Sequence, residues 1–349
     1  MKLCRTLLSL SLALLLLLSL AACGGGPDAP SAVPETAAPE PADPDGTADE
    51  VYPLRVGALK GPTAMGLVEM MERRGPKASV DIWNFDLAGS AEELTPKLIK
   101  GDLDIACVPA NLAAVLYQKT EGQVVTLAVN TLGVLYIVEN GGETIRSIAD
   151  LAGRTIVAAG KGSTPEFGFR YLLEQNGLAP DRDVSIDWKS EHAECVAALA
   201  AGTADIALLP QPFVTVAQGK LETLRVALDL TAEWDALAGG SAMITGVAVA
   251  RRELVEERPE LVDVFLREYA ISVDWVNENP AEAGELVAAN GIIVSAAVAE
   301  KAVPKCNIVC LTGQEMYEKL SGYLQVLAEA DPEAVGGELP RDDFYYGAS

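Results

Sequence analysis

The residues best suited to binding chemistry come in two matching sets. Lys60-Gly61-Pro62-Thr63 follows an apolar run ending at Leu59, and Lys161-Gly162-Ser163-Thr164 follows one ending at Ala159. Gly101-Asp102-Leu103-Asp104-Ile105-Ala106-Cys107-Val108-Pro109 is echoed by Gly202-Thr203-Ala204-Asp205-Ile206-Ala207-Leu208-Leu209-Pro210. The pairs Lys60 and Lys161, Thr63 and Thr164, Asp104 and Asp205, and Pro109 and Pro210 are each 101 residues apart. One register over two separated blocks indicates a structural unit built twice. Two copies are too few for a solenoid, so two similar lobes facing each other are expected.

Thr63 and Thr164 each stand where a helix N-cap belongs. Helix N-termini offer unpaired N–H groups and a partial positive charge, which favour an anionic or strongly polar ligand group. The competing role is capping alone. Lys60 and Lys161 either neutralise an anion or are solvated at the rim, and Ser163 either adds a hydroxyl or forms the turn. Asn111 and Gln211 follow the two prolines and offer amides to a ligand or to the local backbone. Asn130 and Thr131 read as hinge contacts or strand-end caps. Met65 lies in the helix after the first turn and reads as core before ligand wall, as do Trp83, Trp188 and Trp234. The candidate ligand-binding set is therefore Lys60, Gly61, Pro62, Thr63, Met65, Asn111, Asn130, Thr131, Lys161, Gly162, Ser163, Thr164 and Gln211.

Other chemistries find less support. Asp104 and Asp205 each follow a helix stop and open a strand, which favours turn and cap roles. The Gly160-Lys161-Gly162-Ser163-Thr164 stretch suggests a phosphate loop, but that pattern needs a glycine at position 155, where Thr155 stands. The single histidine, His192, is expected on an exposed helix face, and no nucleophile–base constellation is visible. Cys107 and Cys195 sit in apolar contexts and read as buried thiols. Cys306 and Cys310 either form a disulfide or act as small apolar residues; no nearby histidine or second cysteine pair completes a metal set. No metal, cofactor or catalytic residue is expected.

The elements that position these residues alternate. Leu54 to Leu59 reads as a buried strand, followed by a helix carrying Met65, Val68, Met70 and Met71 to near Gly75. Val80 to Phe85 is a second strand. Ser90 with Glu93 gives a capping-box signal for a helix that Pro96 kinks or restarts and Gly101 stops. Asp104 to Val108 is a third strand, a helix runs on toward Tyr117, and Val124 to Val129 is a fourth strand. The second copy repeats this with strands at Arg154–Ala159, Val184–Trp188 and Asp205–Leu209, and helices at Pro165–Asn176 and Glu191–Ala201. Such alternation predicts an α/β fold with mainly parallel sheets, whose ligands bind beyond the carboxyl ends of the strands.

Beyond the second copy, Ile244 to Ala250 is a strand expected to return to the first lobe. A helix from Pro259 carries Leu261, Phe265, Tyr269, Val273 and Val276 as one apolar stripe. Lobe 1 is expected over 51–133 and 240–349, and lobe 2 over 134–239, with a hinge near Leu132–Tyr136 and Gly239–Thr245.

The chain has 349 residues and a formal charge of −24. No basic run is present, which argues against nucleic acid as a partner. Lys2 and Arg5 precede an apolar segment from Leu7 to Leu20, about 14 residues against the ~20 needed to span a bilayer. It reads as an export signal over 1–22. Leu20-Ala21-Ala22-Cys23 then resembles the lipobox of bacterial lipoproteins, with Cys23 as the lipidated residue. Residues 23–50, rich in Pro, Ala, Asp and Glu, read as a disordered tether.

From Tyr52 to about Tyr346 the chain resembles the type II periplasmic-binding-protein fold. It is closely similar to lipoprotein substrate-binding components of ABC importers in the nitrate/sulfonate/taurine and thiamine-precursor group. The resemblance is carried by Val56 to Gly66, the two Gly-x-x-Asp-Ile-Ala-x-x-Pro segments, Asn130-Thr131-Leu132-Gly133 and Ile244 to Ala250. It implies two Rossmann-like lobes closing on a small molecule and handing it to an ABC permease with a cytoplasmic ATPase, in a monomer lipid-anchored outside the cell membrane. Many relatives carry an acidic residue where Gln211 stands, so the neutral amide weakens the case for a cationic ligand. Two other functions stay open: an enzyme on the same fold, and a ligand-sensing surface lipoprotein.

Overall fold

The computed structural model describes residues 53–74, 83–237 and 241–348. The export signal, Cys23, the tether and the stretch before Trp83 lie outside the described residues.

The first copy opens with β1 (Leu54–Leu59), α1 (Pro62–Met65) and α2 (Val68–Arg74). The single helix expected here is broken at Gly66, where an added Cβ would meet the Tyr269 hydroxyl at 2.7 Å. Close packing of the chain against that tyrosine thus overrides the apolar periodicity. Next come β2 (Trp83–Ala88), α3 (Ala91–Lys100), β3 (Ile105–Pro109), α4 (Ala110–Lys119) and β4 (Val124–Leu132). Pro96 lies inside α3, which continues through it, so the helix does not restart there. Gly101 ends α3 in the left-handed conformation at φ 82°, which glycine adopts at little steric cost.

The second copy is β5 (Leu135–Asn140), β6 (Thr155–Ala159), α5 (Thr164–Gln175), β7 (Ser185–Lys189), α6 (His192–Ala200), β8 (Ile206–Pro210), α7 (Phe213–Gln218), β9 (Leu224–Asp229) and α8 (Leu230–Leu237). The chain ends with β10 (Ile244–Arg251), α9 (Arg252–Glu257), α10 (Pro259–Glu278), α11 (Pro280–Ala289), α12 (Ala296–Ala302), β11 (Ile308–Leu311) and α13 (Gly313–Ala330).

Two sheets result, one in the order β11-β4-β10-β3-β1-β2 and the other β9-β5-β8-β6-β7. Apart from β11 the two orders correspond strand for strand. β1 pairs parallel with β2 and β3, as β6 does with β7 and β8. In each sheet one inner strand runs against its neighbours: β10 between β3 and β4, and β5 between β8 and β9. β5 follows the first copy and β10 follows the second, so each sheet is completed by a strand that enters after the chain crosses over. The carboxyl ends of β1 and β3, and of β6 and β8, carry the two sets of repeated turns.

The largest apolar cluster includes Val108 from the first sheet, Ile137 from the second and Tyr323 from α13. α13 packs on α4, β4 and also α5. Trp234 is fully buried, with its ring centroid 4.8 Å from Tyr171 and 5.3 Å from Tyr323. Such aromatic pairs add about 0.5–1.5 kcal/mol each beyond area burial.

Candidate ligand-binding site

The first wall is built at the end of β1. Lys60 N donates to Ala88 O at 3.0 Å, and Gly61, at φ 133°, turns the chain into α1. Pro62 has a fixed φ and no N–H to lose, so the helix starts there with Gly61 as its N-cap. Thr63 is therefore not the cap that the sequence suggested. It lies within the helix, buried, and its hydroxyl donates back to Leu59 O at 2.9 Å. Asn130 Nδ2 donates to Thr63 O at 3.4 Å, and Thr131 Oγ1 donates to Asn130 Oδ1 at 3.0 Å. Gly246 of β10 faces this group: a Cβ there would lie 2.5 Å from both Asn130 Oδ1 and the Thr63 methyl. The Asn130 amide also reaches the Cys107 thiol, which burial pushes up to about 12. Asn130 and Thr131 are wholly buried, so they lock the wall from behind. Met65 is wholly buried in the apolar cluster with Val56 and Phe265. Lys60 is exposed at the rim.

The second wall follows β6. Gly160 at φ 90° and Gly162 at φ 76° form the turn, with Lys161 exposed between them. Ser163 is the N-cap of α5, and Thr164 is the first helical residue instead of the expected cap. Here Pro165 is the second helical residue, whereas Pro62 is the first, so the two turns enter their helices differently. The Ser163 hydroxyl donates to Gly160 O at 2.7 Å. A residue that the sequence reading passed over, Glu166, accepts from Gly162 N at 2.7 Å and from Arg170 Nε at 2.9 Å. Gln211 is buried at the end of β8; its side-chain oxygen accepts from the Thr215 hydroxyl at 2.8 Å and its N–H donates to Val134 O. Its oxygen and backbone N–H thus serve the protein's own groups.

Asn111, the second residue of α4, joins the two walls. Its Nδ2 donates to Gly162 O at 3.5 Å and to Ala334 O at 3.4 Å. Its Oδ1 is buried without a partner among the described residues, and the buried hydroxyls of Thr164 and of Tyr323 on α13 have none but each other. Tyr323 escaped the sequence reading because it recurs at helical spacing with Met316, Leu320 and Leu327 and so reads as core.

The model of the family described as ABC transporter, phosphonate, periplasmic substrate-binding protein matches residues 67–290. The chain belongs to this family. Its members are the extracytoplasmic substrate-binding components of ABC transporters, in agreement with the resemblance carried by the motifs. An ABC transporter structure from Parabacteroides distasonis is similar at 25% identity and TM-score 0.69, over 84% of this chain and 98% of that one. The periplasmic aliphatic sulphonate binding protein SsuA from Escherichia coli gives 17% identity and TM-score 0.69, over 85% and 93%. The periplasmic nitrate-binding protein NrtA from Synechocystis gives 17% and 0.53, over 68% and 66%. No curated protein matches the sequence.

In this substrate-binding protein the other tempting groups have structural duties. Asp104 accepts from the Arg55 backbone N–H and from its guanidinium, at 2.6 to 2.9 Å. Asp205 is exposed. Cys107 and Cys195 are buried thiols as read from the sequence, and Cys306 and Cys310 are free. His192 is half-buried, contrary to expectation: it opens α6 with its ring 5.2 Å from that of Phe213, and burial pulls its pKa down to about 4. Cavities of about 400 and 520 Å³ flank α3, lined among others by Arg251 and by Leu112 respectively, and neither includes a residue of the two walls. Among the described residues no helix is long and apolar enough to cross a membrane.

Proposed function

We propose that this protein is a lipid-tethered receptor that captures a small polar or anionic organic molecule between two lobes and delivers it to an ABC import permease with a cytoplasmic ATPase. Sulfonates, nitrate and thiamine-precursor-like molecules are the candidate classes, by analogy with the sulphonate- and nitrate-binding relatives. The lobes are 51–133 with 240–349, and 134–239. Cys23 carries the lipid after removal of residues 1–22, and residues 23–50 are the tether. The observation that carries the reading is the meeting of the repeated strand-end turns across Asn111, whose amide reaches Gly162 O. Two walls that touch through one side chain suit a clamp whose closed state a ligand stabilises by differential affinity.

The mature protein, prepared with its native small molecules and after their removal by unfolding and refolding, tests this. Small-molecule mass spectrometry of the native preparation should find a bound solute. Returning that solute should raise the melting temperature and shrink the scattering radius. A radius indifferent to every solute recovered would overturn the clamp.

A further inference from the structure

We propose, resting on the cleft reading above, that the second wall takes an uncharged ligand group that both donates and accepts hydrogen bonds, and that Tyr323 is a specificity-determining residue there. Buried polar atoms almost always find partners, and leaving one unpaired costs about 1–3 kcal/mol. Asn111 Oδ1 is such an atom, and at the start of α5 the buried Thr164 and Tyr323 hydroxyls have no partner but each other among the described residues. The three residues are 3%, 1% and 0% exposed. The Thr164 side chain adjoins the Tyr323 phenol, whose pKa burial raises and this neighbour pulls back. The two carbonyls that accept from Asn111 Nδ2 fix the orientation of that amide, so its free end is an acceptor.

Most N–H groups around the helix N-terminus beside these atoms already have acceptors, although the Thr164 N–H has none among the described residues. Gly162 N donates to Glu166 Oε2 at 2.7 Å, Ser163 N to Gly160 O at 3.2 Å and Glu166 N to Ser163 O at 2.9 Å, while Pro165 has no N–H. The Glu166 carboxylate thus stands where an anionic ligand group would seek the helix end. Such a group would also meet the Asn111 carbonyl, acceptor against acceptor. Lys60 and Lys161, the cations of the two turns, are exposed and do not reach into the buried triad. A carboxamide or an amino-oxo heterocycle satisfies all three atoms at once: its N–H donates to Asn111 Oδ1 and its carbonyl accepts from the hydroxyls.

Calorimetric titration and thermal melting with cytosine, nicotinamide, methylphosphonate, ethanesulfonate and nitrate test the assignment on solute-free mature protein. A neutral probe should bind at least about tenfold tighter than any of the anions. Tyr323→Phe and Thr164→Val should each weaken it about tenfold, the loss of roughly one hydrogen bond. Both should melt within about 4 °C of wild type, since the one protein partner of each hydroxyl is the other. Glu166→Gln should admit methylphosphonate. Preference of wild type for an anion, or unchanged neutral-probe affinity in both hydroxyl variants, overturns the assignment and leaves the clamp standing. Binding of none of the five overturns the assignment, and the clamp is then decided by the solute recovered from the native protein.

Discussion

The two copies share their backbone plan more closely than their packing. Glu93 in α3 accepts from Gly89 N at 3.1 Å, and Glu194, 101 residues on, accepts from Ser190 N at 3.0 Å. A helix start has N–H groups that need partners in either copy, so the same residue type recurs. Side-chain volume is instead traded locally. Gly57 in β1 lies against Leu94 and Leu103; a Cβ there would come within 2.6 Å of both. The matching positions of the second copy hold Ala158, Cys195 and Ala204. An added methyl on the strand goes with smaller residues opposite it. Charge follows the same logic: Asp104 is clasped by Arg55, whereas Asp205 corresponds to a strand with Ile156 in that place and faces solvent.

The charge contrast predicts the largest effect. Asp104→Asn replaces the charged acceptor of the Arg55 N–H and guanidinium by a neutral amide and should cost about 2–3 kcal/mol in chemical denaturation. Asp205→Asn should change stability by less than about 0.5 kcal/mol. Equal costs would mean that the ion pair is incidental and the two aspartates do the same work in their turns.

The volume trade predicts the next. Gly57→Ala forces its methyl into Leu94 and Leu103 and should cost about 2 kcal/mol by overpacking. Combining it with Leu94→Cys should destabilise by less than the two changes added together, with a coupling of about 1 kcal/mol or more. Strict additivity in urea unfolding would show that the second copy's Ala158 and Cys195 are not a compensating pair.

What the sequence disclosed follows from this division. Strands β1, β3, β6 and β8 and the helices between them were legible because each copy states the same periodicity twice. β5 and β9 were passed over: β5 sits at the crossing read as a hinge, and Leu224 to Asp229 is a short run whose partner lies far along the chain. At the site, the glycine turns, Asn111 and Thr164 were legible from spacing. Their roles were not, because the following proline is the first helical residue in one copy and the second in the other, which moves the cap. Tyr323 and Glu166 were invisible for another reason. A tyrosine in an apolar stripe and a glutamate paired four residues ahead with Arg170 both look like ordinary helix residues until tertiary contacts place them.

The smallest effect tests a groove that one copy fills and the other leaves open. His192 opens α6 and covers Phe213; the matching Ala91 and Leu112 of the first copy line the apolar cavity of about 520 Å³. The imidazole is thus a space-filler whose burial holds its pKa down to about 4, against about 6.5 in an unfolded chain. Between those values the unfolded state binds more protons, so stability is present above pH 6.5 and is lost as pH falls toward 4. Because the ring is only half-buried, the loss should be about 1 kcal/mol between pH 7.5 and 5. His192→Phe keeps a ring on Phe213 without a titrating group and should show a correspondingly flatter urea midpoint over that interval. The window is also free of the buried carboxylate on β5: burial alone would push Glu139 up, but hydrogen bonds from Thr144, Arg225 and Ile145 N hold it at about 2. Its share of stability is lost only as pH falls below about 4.5. An identical pH slope in wild type and His192→Phe would show that the groove is filled without keeping the imidazole neutral.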